Sequence, residues 1–169
     1  MRLSRLTILI GFFIVISASF MRQLMNVIYS QIGKPGAATA LGIFFVLIFL
    51  FVALRLARMP LEAWRKVIFF IVCALGLYLS WQLKIVEERI HVLEYGLLGY
   101  LVTRDLLKNT FSFKSIAFII LTITIFAFLD EGFQYVLPYR VWELRDAGLN
   151  LIGGLWGAAL FFIKNQLKR

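Results

Sequence analysis

Apolar residues in this chain come in long blocks rather than in alternation, and six blocks stand out: Leu6–Met21, Ala37–Leu54, Val67–Leu83, Ile90–Thr103, Ile116–Leu137 and Ala147–Ile163. A membrane-spanning helix needs roughly 17–25 mostly apolar residues. The pattern predicts an all-α, polytopic integral membrane helix bundle of about six transmembrane helices, forming a single membrane domain over residues 1–169. The fourth block is short and polar at its start, so it reads as a helix packed inside the bundle. The fifth reaches spanning length only by taking in Asp130, Glu131 and Gln134. Between the first two blocks, RQLMNVIYSQIGKPG (Arg22–Gly36) reads as a loop or interfacial turn. Arg55 to Lys66 reads as a basic connection, with Pro60 at a helix start. The N-terminus allows a second reading. MRLSR, an apolar run and the small residues Ser17-Ala18-Ser19 have the layout of a signal peptide, whose cleavage would leave five helices.

Composition agrees with the membrane reading. The chain is 62% hydrophobic and 16% charged, with a mean hydropathy of +0.88, whereas soluble domains carry about 25% charged residues. A net charge of +9 in a soluble protein would point to nucleic acid. Here the loops account for it, and no nucleic-acid partner is expected. With the N-terminus in the cytoplasm, inner segments hold Arg2, Arg5, Arg55, Arg58, Arg65, Lys66, Arg104, Lys108, Lys114, Lys164, Lys168 and Arg169. The outer ones hold Arg22, Lys34, Lys84, Arg89, Arg140 and Arg145. This Lys/Arg bias predicts cytoplasmic N- and C-termini. The acids run the other way: only Glu62 and Asp105 fall inside. Cys73 lies alone in an apolar block and reads as a small buried residue.

Three polar stripes then fall at one depth. At about 100° per residue, His91, Glu94, Tyr95 and Glu87 share one helix face. Gln134 lies within about 60° of both Asp130 and Glu131. Asp146, Asn150, Gly153 and Gly157 form a narrow stripe on the last helix, with the small-xxx-small spacing that lets helices approach closely. The polar residues beside those glycines must face protein rather than lipid. Ionisable groups inside a membrane are costly and usually functional, so the stripes predict a polar pocket on the extracytoplasmic side. Arg140 hangs over it, and its guanidinium suits phosphate or carboxylate. Asn150, Gln134 and Tyr95 can hydrogen-bond a head group. Glu87, Glu88, Glu143 and Arg145 read as ordinary helix ends, and Asp105 as a local charge pair with Arg104. If the pocket catalyses, His91 paired with Glu94 supplies acid–base chemistry. No serine or cysteine nucleophile stands beside them. Neither a second histidine nor an HExxH-type helix is present, so no metal or other cofactor is expected.

The motifs His91-x-x-x-Tyr95, Asp130-Glu131-x-x-Gln134, Pro138-x-Arg140 and Asp146-x-x-x-Asn150-x-x-Gly153-x-x-x-Gly157 lie in this order on successive apolar segments. Together they resemble the VanZ-like family of small bacterial membrane proteins. The resemblance covers roughly 67–163 as a four-helix core, leaving two N-terminal helices in 1–60 outside it. Tyr139 stands where the family often has a small residue. What the resemblance implies is the bacterial cytoplasmic membrane as location and low-level teicoplanin resistance as the trait for which the family is named. The reading that follows is a protein that binds the head group of an envelope lipid or lipid-linked wall precursor. Alternatives are an ion-coupled carrier of lipid or solute, and a scaffold for other membrane proteins. Orientation is directly testable: Trp142→Cys should react with an impermeant thiol reagent in intact cells, and protection there would overturn the external placement of the site.

Overall fold

The computed structural model describes residues 2–60, 62–107, 112–139 and 143–166. They form five helices: α1 (Arg5–Ala57), α2 (Ala63–Trp81), α3 (Val86–Leu106), α4 (Phe113–Val136) and α5 (Leu144–Gln166). No strand occurs among the described residues. By length and composition, α1, α2, α4 and α5 can each cross a membrane. The first two apolar blocks are the two arms of α1, helical segments joined across a kink, so five continuous elements carry the six predicted blocks. Residues 22–36, expected as a loop, are helical apart from Gly33, whose φ of 70° and ψ of 167° break the helix. Glycine takes that conformation without a Cβ penalty. Pro35 follows immediately in the first turn of the second arm, where its missing N–H would be unpaired in any case. Met21 and Met25 of the first arm share an apolar cluster with Ala37 of the second and Val86 of α3. Pro60 precedes α2 instead of starting it; Glu62 is the N-cap residue.

Contacts set the direction of each helix. Leu56 packs with Phe69 and Cys73 near the start of α2, and Ser4 reaches Asp105 near the end of α3. At the opposite end, the Tyr139 hydroxyl donates to the Ser19 carbonyl at 2.7 Å. Arg22 donates to the Tyr139 carbonyl. Tyr139, the departure from the family pattern, therefore ties the end of α4 to α1. The Asp105 carboxylate accepts from the Ser4 amide (2.7 Å), the Thr7 hydroxyl (2.6 Å) and Arg104 Nε (3.0 Å). It is buried, so the acid expected as a local charge pair anchors the N-terminus of α1.

Large apolar side chains face outward on α1, α2 and α4, among them Phe12, Phe13, Leu50, Phe51, Ile71, Leu75, Leu121 and Phe128. Such a belt is what a lipid environment solvates. By contrast, 12 of the 21 residues of α3 are buried. Its charged ends and low apolar content suit a helix surrounded by other helices, as its sequence suggests.

The α3–α5 contact is the tightest. Built on Gly157, a Cβ would collide with the Gly96 carbonyl; on Gly99, with the Gly154 carbonyl. A Cβ on Gly153 would sit 2.7 Å from the Val92 carbonyl. Main chain therefore lies on main chain along the seam, and no flexible side chain is available to yield. Gly157→Val should lower stability by about 3 kcal/mol or abolish folding, read as loss of the monodisperse species in detergent. Normal yield and melting temperature would contradict this packing.

Candidate functional site

The seam brings the polar stripes of α3 and α5 against that of α4. Taking about 1.5 Å per residue, His91 lies ~8 Å and Tyr95 ~14 Å inside the start of α3, Asp130 ~9 Å from the end of α4, and Asn150 ~9 Å inside α5. All four thus sit at similar depth below the end of the bundle that holds Trp81, Val86 and Leu144.

Asp130 is the hub. It is fully buried, and its carboxylate faces three donors from three helices. Gln134 Nε2 donates to Oδ1 at 3.2 Å. Asn150 Nδ2 and the Tyr95 hydroxyl both approach Oδ2 at 3.3 Å. The Tyr95 hydroxyl also lies 3.0 Å from the Phe126 carbonyl. With only one proton to give, it shares that proton between the two acceptors. Tyr95, Gln134 and Asn150 are buried as well. Such a network holds its members in place because any polar group left unpaired in a low dielectric is costly.

Glu131 lies beside the hub with 1% exposure. Its closest side-chain contact is a long one, 3.5 Å from Gln134 Nε2 to Oε1; the Glu143 backbone amide also approaches the carboxylate, and Oε2 lacks a hydrogen bond of good geometry among the described residues. Asp146, half-buried in the first turn of α5, likewise leaves Oδ1 without one. His91 Nδ1 and Glu94 Oε2 are 3.2 Å apart, off the alignment of a good hydrogen bond, and the pair is less deeply buried than the hub. His91 also stands close enough to Asp130, Glu131 and Asp146 to interact electrostatically with each. Arg140 lies outside the described residues. Among the described residues, no three His, Cys, Asp or Glu side chains converge on a point that could hold a metal ion.

The arrangement therefore sorts the predicted residues into three groups. Tyr95, Asp130, Gln134 and Asn150 form one hydrogen-bonded network. Glu131 and Asp146 border it with acceptor oxygens to spare. His91 and Glu94 form a pair on its more exposed side. Glu87, on the same helical-wheel face as His91, instead accepts from the Tyr29 hydroxyl of α1 at 2.9 Å. Glu88 belongs to the site region after all. It is buried and receives both guanidinium nitrogens of Arg145, at 2.9 and 3.0 Å. A bidentate pair of this kind fixes orientation as well as charge, and it locks the start of α5 to the first turn of α3. The wheel held the signal: Glu88 falls about 20° from Tyr95, on the face that meets α4 and α5.

A family model described as VanZ/LLP1 matches residues 4–165, essentially the whole chain. The chain belongs to the VanZ-like family. The match takes in both arms of α1 as well as the helices that carry the four motifs. No curated protein and no solved structure matches the chain. Family membership and the apolar helices together make this VanZ-like chain a multi-pass membrane protein.

The Asp130 carboxylate is the acceptor that Tyr95, Gln134 and Asn150 share. Tyr95→Phe removes the hydroxyl that faces both Asp130 and Phe126, and should cost about 1 kcal/mol. Asp130→Leu strands the Asn150 amide, leaves Tyr95 and Gln134 only their second acceptors, and should cost about 3 kcal/mol or more. Thermal unfolding in detergent tests the ranking; equal melting temperatures for the two variants would rule out Asp130 as the hub.

Proposed function

We propose that this VanZ-like protein is a component of the bacterial cell envelope. In this reading its α3–α4–α5 polar cluster binds the head group of an envelope lipid or lipid-linked wall precursor on the extracytoplasmic side, and it contributes to low-level glycopeptide (teicoplanin) resistance. The observation that carries the reading is Glu131 Oε2. A buried carboxylate oxygen without a well-formed hydrogen bond among the described residues costs about 1–3 kcal/mol, and a donor arriving from a ligand recovers it. Asp146 Oδ1 presents a second such acceptor. Together they favour a ligand rich in hydroxyl, amine or amide N–H groups, which describes sugar and peptide head groups. Arg140, in the connection between α4 and α5, supplies the donor fork for the phosphate of the same molecule.

His91 and Glu94 give the site the means for acid–base chemistry, with the carboxylate orienting the ring. Binding by itself does not require it. Purified protein carrying Glu131→Gln and Arg140→Ala should lose co-purifying wall-lipid precursor by about tenfold or more while keeping its detergent-solubilised mass and melting temperature. Unchanged precursor occupancy would sink the head-group reading. Incubation with labelled precursor separates binding from catalysis. Product that disappears in His91→Ala and Glu94→Gln identifies an acid–base pair, and absence of product leaves a binding site.

A further inference from the structure

The opposite end of the bundle carries a second feature that the polar cluster does not use. A cavity of about 420 Å³ opens between the second arm of α1, α2, α3 and α5. Its floor is apolar, with Leu56 and Phe69 buried, and Phe51 at its edge is 60% exposed. Two cations, Arg55 and Lys164, line it, together with the Tyr100 ring. Among the described residues neither cation has a carboxylate within ion-pair distance.

Local contacts hold these groups in place. Lys164 Nζ donates to the Tyr100 hydroxyl at 2.7 Å and lies 5.4 Å from the centre of that ring. The Arg55 guanidinium stacks at 5.4 Å over Phe51. The Tyr100 oxygen accepts from the lysine, so its own proton is free to donate outward. Lys164 keeps two further N–H donors, and Arg55 keeps its fork. Preorganised donors with no carboxylate partner among the described residues, above an apolar floor, form a site for an anion attached to hydrocarbon.

We propose that this cavity binds the phosphodiester of an anionic phospholipid. Arg55, Lys164 and the Tyr100 hydroxyl hold the phosphate, and an acyl chain lies along Phe51. The phosphate chemistry alone would also admit free inorganic phosphate. The lipid is favoured because Phe51 belongs to the outward apolar belt with Val46, Leu47, Leu50 and Leu54, so the mouth adjoins hydrocarbon. Basic pockets between helices on the cytoplasmic side are a known physical solution for anionic head groups, and the Lys/Arg bias expects this end to face the cytoplasm.

The test uses the full chain with Glu131→Gln and Arg140→Ala already introduced, so that binding at the other end does not contribute. Native mass spectrometry after reconstitution into phosphatidylglycerol or phosphatidylcholine nanodiscs reads the retained lipid. One phosphatidylglycerol should remain bound in preference to phosphatidylcholine, and Arg55→Gln with Lys164→Gln should lower its retention about tenfold. The charge-keeping pair Arg55→Lys with Lys164→Arg should preserve it, and all variants should keep the same melting temperature without lipid. Equal retention of the two lipids, or unchanged retention in the double glutamine variant, would overturn the proposal. So would displacement of the lipid by millimolar inorganic phosphate, which would identify a soluble anion as the ligand. Because Glu131 and Arg140 are absent from this protein, failure here leaves the extracytoplasmic reading untouched.

Discussion

The contact of α3 with α5 is made by backbone on backbone, and the rest of the bundle is arranged around it. Gly96 and Gly99 on one helix meet Gly153, Gly154 and Gly157 on the other with no room for a methyl group. In a membrane, apolar side chains gain little by leaving lipid for protein, so close packing and interhelical hydrogen bonds must hold helices together. Glycine supplies the first by letting the axes approach. The second follows, because the approach brings Asn150 and Tyr95 to the same carboxylate of α4.

Partners on neighbouring helices explain why α3 can be so polar. A helix carrying Glu87, Glu88, Arg89, Glu94, Arg104 and Asp105 would insert poorly alone, since charges in the hydrocarbon are costly. Each of its buried acids has found donors on another element. Glu88 is held by Arg145 of α5, and Asp105 by the N-terminal turn of α1. α3 is thus fastened at both ends by charge-assisted bonds and along its length by the glycine seam. The lipid-facing helices α1, α2 and α4 carry the apolar surface that α3 lacks.

The two ends of the bundle differ in chemistry for the same reason. Most acids gather at the end where α3 begins and α5 starts, and most bases at the end where α1 enters and α5 leaves. At the acidic end the surplus is of acceptors, with Glu131 and Asp146 each presenting an oxygen that has no well-formed hydrogen bond among the described residues. At the basic end the surplus is of donors, with Arg55 and Lys164 facing one cavity. The proposals for the two ends differ accordingly, acceptors in excess suiting a donor-rich head group and donors in excess suiting an anionic one.

Much of this was legible in the sequence, because hydrophobic blocks, loop charges and helical wheels depend only on spacing. The blocks predicted the helices, the polar start of the fourth predicted its burial, and Gly153 and Gly157 marked a face that meets protein. Spacing could not show that Gly33 joins two blocks into one broken helix, because a glycine and a nearby proline fit a loop equally well. Nor could it reveal that Glu88 and Asp105 are buried, since an acid at a helix end looks solvated until its partner is known. Arg145 lies 57 residues from Glu88 and Ser4 lies 101 from Asp105, so those pairings exist only once the helices have packed. The sequence by itself determined the class of protein and the depth at which its polar groups lie. Only the tertiary structure decided which carboxylates are held by donors from other helices, because hydrogen bonding is settled across helices at distances of about 3 Å.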